Sequence, residues 1–166
     1  MDPCKVLQPH GVLICKSCRY ACLIQEVTNH LRTKHRHLSA QQRATIQKAV
    51  GRLPSLFHNQ DSLNFFTLPA CPVPAILDLA GPHFDGLKCD RCQYIARQDR
   101  LTQEHCRIAH DWVNPRKPGR TTREIPAFSN PWRSGVPCQR FFSSRRASGW
   151  FEVIIPDASL PGSPGT

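Results

Sequence analysis

Two stretches of this chain bring soft metal ligands together at regular spacing: CKSCRYACLIQEVTNHLRTKH from Cys15 to His35, and CDRCQYIARQDRLTQEHCRIAH from Cys89 to His110. The first reads C-x2-C-x11-H-x4-H and the second C-x2-C-x12-H-x4-H. Two thiolates converging from a tight turn, with two imidazoles projecting from successive turns of one helix face, complete a tetrahedron suited to zinc. The spacing predicts that Cys15, Cys18, His30 and His35 hold one ion, and that Cys89, Cys92, His105 and His110 hold a second. Four protein ligands leave no position for a water, so both ions are expected to be structural and the protein is not expected to be an enzyme. The sequence shows no nucleophile elbow, phosphate loop or paired-carboxylate arrangement.

The ligands sit inside a repeat. Cys15 to Cys89 is a step of 74 residues and His30 to His105 a step of 75, so one inserted residue separates the copies. Leu13 and Leu87 each precede the first cysteine by two, and Tyr20 and Tyr94 each follow the second by two. In the first copy Leu13 and Val27 are the expected core, Val27 lying three before His30; in the second, the insertion puts Leu101 four before His105 and predicts a different helix start or a wider turn. Cys22 and Cys106 read as small packing residues, with alternate ligation as the competing reading. Cys4, Cys71 and Cys138 have no partner at metal spacing, and His10, His37, His58 and His83 read as ordinary polar residues.

The elements that must position these ligands define an α+β protein: two small ββα-type zinc-finger modules joined by an amphipathic helix and a Pro-rich linker, followed by a C-terminal β-hairpin and a disordered tail. The expected boundaries are 8–38 for the first finger, 39–54 for the helix, 55–84 for the Pro-rich connector and 85–112 for the second finger. A basic linker follows at 113–136, the hairpin at 137–155 and the tail at 156–166. Ser39 with Gln42 forms a capping box, and Ile46, Ala49, Val50 and Leu53 fall at helical spacing before Pro54. The runs PCQRFF and GWFEVII are aromatic and β-prone on either side of SSRRAS, a hairpin pattern that lacks a core of its own.

With 166 residues, 15 prolines and 8% aromatics, the chain has a thin apolar core, and metal is the expected additional source of stability. Nine cysteines suit disulfides only in an oxidising compartment. The start MDPCKVLQPHGVLIC lacks the basic and uninterrupted apolar pattern of a signal peptide, which predicts reduced thiols in a soluble intracellular protein, and a nucleic-acid role would place it in the nucleus. No apolar run approaches the roughly 20 residues of a membrane span, and neither a membrane partner nor a small-molecule substrate is expected.

A net charge of +10 favours anionic partners, nucleic acid first and acidic lipid or protein second, with a charge merely spread over a solvated surface as the equally weighted reading. The charge is uneven: Trp112 to Trp150 carries eight Lys or Arg and one acid, while Asp61 to Phe84 carries two acids and no Lys or Arg. In DNA-reading fingers the residues at helix positions −1, 3 and 6 meet the bases. Counting back from the first histidine gives Leu23, Glu26 and Asn29 in the first module and Gln98, Leu101 and Glu104 in the second. None is an arginine able to read guanine, and 53 residues separate His35 from Cys89, too far for tandem fingers tracking one groove. The expectation is therefore contact through backbone charge, with Arg97, Arg100, Arg107, Arg116, Lys117, Arg120 and Arg123 as candidate phosphate partners. The alternative is a protein–protein interaction module or scaffold with structural zinc and no DNA readout.

HGVLICKSC followed by HLRTKH, then PVPAILDL leading into GLKCDRC and HCRIAH, and finally Trp132 through PCQRFF to WFEV, together resemble the fungal family named after orsellinic acid biosynthesis cluster protein D. The resemblance spans roughly residues 6 to 155 and transfers ligand roles only to the eight cysteines and histidines above. It implies a nucleic-acid context, because similar regions precede helicase-like and transposon-related segments in longer fungal proteins. It also implies that this chain is either a short member or a fragment. The family name carries no implication of polyketide chemistry, for which this chain has no catalytic residues.

Overall fold

The apolar run preceding the first cysteine pair is buried on every residue, which a strand achieves only when both of its edges and both of its faces are covered. In the computed structural model, which describes residues 3–53, 57–115 and 130–156, this run is Val12–Cys15 (β2 in chain order), the centre of a three-stranded antiparallel sheet. Cys4–Leu7 (β1) and Tyr20–Cys22 (β3) flank it, with Cys4 opposite Cys15 and Leu13 opposite Cys22. Gly11 closes the β1–β2 turn at φ 64°, donating its N–H to the Leu7 carbonyl at 2.9 Å. That left-handed conformation suits glycine because it has no Cβ to clash.

A 3-10 turn over Ile24–Glu26 leads into Val27–Lys34 (α1), and Ala40–Val50 (α2) follows. The capping box is present at the start of α2: the Ser39 Oγ accepts from the Gln42 N–H at 3.2 Å, and the Gln42 side chain accepts from the Ser39 N–H at 2.7 Å. Val50 of α2 joins Val27 and Leu31 of α1 in one cluster with Cys4, Leu13, Cys15 and Cys22. The first Cys/His group is thus backed by a third strand and a second helix.

The other sheet has five strands: Val73–Pro74 (β4), His83–Cys89 (β5), Ile95–Ala96 (β6), Trp132–Gln139 (β7) and Phe151–Ile154 (β8), in the order β4-β8-β7-β5-β6. β4 runs parallel to β8, and the other pairings are antiparallel. Asp99–His110 (α3) follows β6. Lys88 on β5 is buried and donates to Glu152 on β8 at 2.5 Å, and Arg133 on β7 donates to the same carboxylate at 2.8 Å, so each buried charge has a partner. Gly86 faces the β7 backbone so closely that a Cβ would lie 2.4 Å from the Val136 carbonyl oxygen. Gly86→Ala is expected to cost about 1–3 kcal/mol or more through this clash, measured as a lower denaturant midpoint. An unchanged midpoint would mean that β5 and β7 are not packed this tightly.

The chain divides into two compact units, one drawn from residues 1–68, 76–81 and 140–149 and the other from 69–75, 82–139 and 150–166. β7 and β8 pair antiparallel as the aromatic runs suggested, but Phe141 and Phe142 belong to the connection between the strands, where they are buried within the first unit. Phe141 meets Phe66 at 5.4 Å and His10 at 4.8 Å between ring centroids, and its carbonyl accepts the Ala21 N–H at 2.7 Å. The described part of the Pro-rich connector supplies a 3-10 turn at Ser62–Phe65, the fully buried Leu79 and strand β4. Residues 116–129 of the expected basic linker and 157–166 of the expected tail lie outside the described residues. Among the described residues no helix is long and apolar enough to cross a membrane.

Candidate metal centres

Cys15 is the last residue of β2, and Cys18 lies in the tight turn that follows, where the Arg19 N–H donates to the Cys15 carbonyl at 2.7 Å and Arg19 takes φ 57°. His30 lies in α1 and His35 caps its C-terminal end. The four ligand atoms lie within 4.8 Å of one another, and the His35 Nε2 is 3.2 Å from the Cys15 sulfur and 3.4 Å from that of Cys18. The second group repeats the plan. Cys89 ends β5, Cys92 follows in the turn, and His105 and His110 project from α3. The Cys92 sulfur is 3.1 Å from His105 Nε2 and 3.4 Å from His110 Nε2.

These groups fit a tetrahedral ion. Zn–S bonds near 2.3 Å and Zn–N bonds near 2.0 Å give tetrahedron edges of roughly 3.3–3.8 Å, and the observed sulfur–nitrogen separations of 3.1–3.4 Å are close to them. The buried His30 Nε2 makes no hydrogen bond, which is costly for a polar atom unless another partner, such as a cation, takes its lone pair. The thiols behave as like groups crowded into one site. A hydrogen bond from the Cys4 side chain pulls the Cys15 pKa down to about 2, whereas burial, followed by the Cys15 charge, pushes Cys18 up to about 11. A divalent cation would relieve that conflict. Each tetrad can therefore hold a metal ion, and its donor set is consistent with zinc.

Around the ligands the two groups differ. α1 begins three residues before His30, whereas α3 begins six before His105. The buried place of Val27 is taken by Thr102, three before His105, and the inserted residue turns Leu101 to the outside, where it is 41% exposed. Thr102 escaped the sequence reading because its hydroxyl marks it as polar; in α3 that hydroxyl is satisfied by donating to the Gln98 carbonyl at 3.3 Å. Tyr94 stacks on the His105 ring at 3.8 Å and 9°, while its counterpart Tyr20 lies under the Arg140 guanidinium at 5.7 Å. Cys22 and Cys106 pack in the apolar clusters beside the tetrads, and burial first, then the neighbouring thiolates, pushes them to about 12 and about 11.

The candidate phosphate partners fall in different settings. Arg97 forms a two-bond pair with Asp85 at 2.6 and 2.8 Å and lies over the Trp150 ring at 5.2 Å, and the Asp85 carboxyl is held below its usual range by that guanidinium. Arg100 and Arg107 are exposed on α3 and flank a groove lined by Gln103, Glu104, Trp112 and Val113. Arg116, Lys117, Arg120 and Arg123 lie outside the described residues.

The helix faces differ as well. Leu23 is buried, and Glu26 accepts from Arg145 at 2.5 Å and from Gln60 at 3.0 Å. Chain segments of the same unit also engage the backbone ahead of α1, with the Gln25 N–H donating to the His58 carbonyl at 3.1 Å. Two of the three base-reading positions of the first module are therefore occupied within the protein itself. On α3, by contrast, Gln98, Leu101 and Glu104 make no comparable side-chain hydrogen bonds with other segments among the described residues.

Fold and site define a mixed α+β protein with two Cys2His2 groups able to hold metal. Residues 4–111 match the family described as Orsellinic acid/F9775 biosynthesis cluster protein D, and the chain belongs to that family. The matched range contains both tetrads and ends before β7. No curated protein and no solved structure matches the chain.

Proposed function

We propose that the chain is a zinc-stabilised, non-enzymatic binding module of the nucleus, built on two ββα-type fingers, that meets nucleic acid through backbone charge rather than base readout. The observation that carries this reading is the pair of Cys2His2 tetrads, each closing at a strand end and the following helix, so that metal fixes the helix that presents the surface. Zinc, when bound, supplies folding free energy and no open coordination position. Arg100 and Arg107 on the outer face of α3 then offer two cations to phosphates.

A salt series tests the reading. Duplex DNA of arbitrary sequence is expected to bind at low salt, with log K falling linearly as log salt rises and a slope near −0.9 for each phosphate neutralised. Arg100→Ala combined with Arg107→Ala is expected to flatten that slope by roughly 2 without changing sequence preference. Absence of binding at low salt would overturn the nucleic-acid reading. A scaffold role would then lead, favoured by the covered face of α1 and by Ile108 and Val113, which are 66% and 82% exposed.

A further inference from the structure

Within the first unit, a cavity of about 320 Å3 lies between α1 and the 142–146 segment. Its lining includes Lys34, Arg145, Arg146, Ser143, Ser144 and Asn29. Three cations face one acid, Glu26, leaving a net lining charge of 3 − 1 = +2. Glu26 is already engaged by Arg145 and Gln60. A guanidinium has five N–H donors, so Arg145 and Arg146, which donate to Glu26 and Asn64 respectively, keep further donors for a ligand.

The loop that carries these arginines is held in an unusual shape. Arg145 and Ala147 take φ 67° and 65°, conformations that residues with a Cβ rarely adopt, and the Ser148 hydroxyl donates to the Arg145 carbonyl at 2.6 Å. The loop is thereby set in advance to send Arg145 towards α1 and Arg146 towards Asn64, with the Ser143 and Ser144 hydroxyls beside them. Preorganised cations with neutral hydrogen-bonding groups beside them match a tetrahedral oxyanion. A terminal phosphate is a near-dianion, whereas an internal diester carries a single charge, so three cations set against one acid match the monoester better.

We propose that this cavity binds a terminal phosphate monoester, with Lys34, Arg145 and Arg146 as its charged contacts. The phosphate belongs either to a small phosphorylated compound or to the 5′ end of a nucleic-acid strand. The site is built from first-unit residues and shares none with the Arg100–Arg107 face of α3, so loss of salt-dependent duplex binding would leave this proposal standing.

The test is an amide-resolved NMR titration of the zinc-loaded full chain with inorganic phosphate, a 5′-phosphorylated dinucleotide and the same dinucleotide with a 5′-hydroxyl. Saturable shifts are expected at Asn29, Lys34 and residues 143–146 with the first two probes, and affinity at least about tenfold weaker with the third, as expected for losing one charge-assisted contact. Equal affinity for the two phosphorylated probes would assign a small phosphate compound, and tighter binding of the dinucleotide would assign a strand end. Lys34→Ala with Arg146→Ala is expected to abolish the shifts while zinc content and the remaining spectrum stay unchanged; should that pair fail to fold, Ser144→Ala with Arg146→Gln serves the same purpose. The proposal is overturned if no probe shifts these amides, if the 5′-hydroxyl dinucleotide binds as well as its phosphorylated form, or if a folded double variant still responds.

Discussion

Cys15→Ala is expected to lower bound zinc from two ions per chain to one and to unfold the unit built around that tetrad. Cys15 is fully buried at the end of β2, and its sulfur shares a cluster with Leu13, Val27, Leu31 and Val50. Structural zinc in small domains contributes on the order of 10 kcal/mol of apparent binding free energy, as much as the ~5–15 kcal/mol net stability of an ordinary domain. A core this thin has little to set against such a loss. Native mass spectrometry would count the ions, and circular dichroism would follow the helices. Cys4→Ala is the matched control: Cys4 packs opposite Cys15, and the variant should keep two ions if Cys4 is a packing residue. Retention of both ions by Cys15→Ala would refute the assigned ligand set, and loss of an ion from Cys4→Ala would show that the site depends on the Cys4 thiol that hydrogen-bonds Cys15.

Phe141→Ala is expected to destabilise the protein by about 3–5 kcal/mol while leaving the zinc count at two. The estimate is that of a large aromatic side chain removed from a fully buried site. The Phe141 ring is completely covered and packs edge-on against Phe66, and its backbone carbonyl ties the segment to β3 through the Ala21 N–H. Urea denaturation followed by circular dichroism, which reads the α1 and α2 helices of the first unit, would give the shift in midpoint. A change below about 1 kcal/mol would mean that the 140–149 segment is not part of the first unit's core. Comparing the two variants separates stability supplied by the metal from stability supplied by apolar burial.

The covering of α1 has a consequence for recognition. An isolated finger places its helix in the major groove and reads bases with the exposed leading face. Here that face is built into the protein through Leu23, the Arg145–Glu26 pair and the backbone contacts from residues 57–58. Opening it would expose apolar surface and break a charged pair, so α1 serves the fold and the adjoining cavity. α3 keeps Arg100, Leu101, Glu104 and Arg107 exposed, so the helices beside the two Cys/His groups differ in what covers them.

The two Cys/His groups that could hold metal, the capping box of α2 and the mixed α+β class were legible in the sequence, because each rests on local spacing. Two thiols three residues apart, two imidazoles five apart, and a serine three before a glutamine fix their geometry within a turn or two of chain. The structure alone decided how the strands beside the two Cys/His groups were built into larger sheets, with β1 added to β2–β3 and β7 to β5–β6. It also decided that Thr102 would fill the place of Val27, and that Phe141 and Phe142 would leave the strand run to fill the first unit's core. These outcomes depend on contacts between residues tens of positions apart. A β-prone aromatic run looks the same in sequence whether it pairs with a neighbouring strand or fills a distant cavity, and only the burial available elsewhere in the chain distinguishes the two.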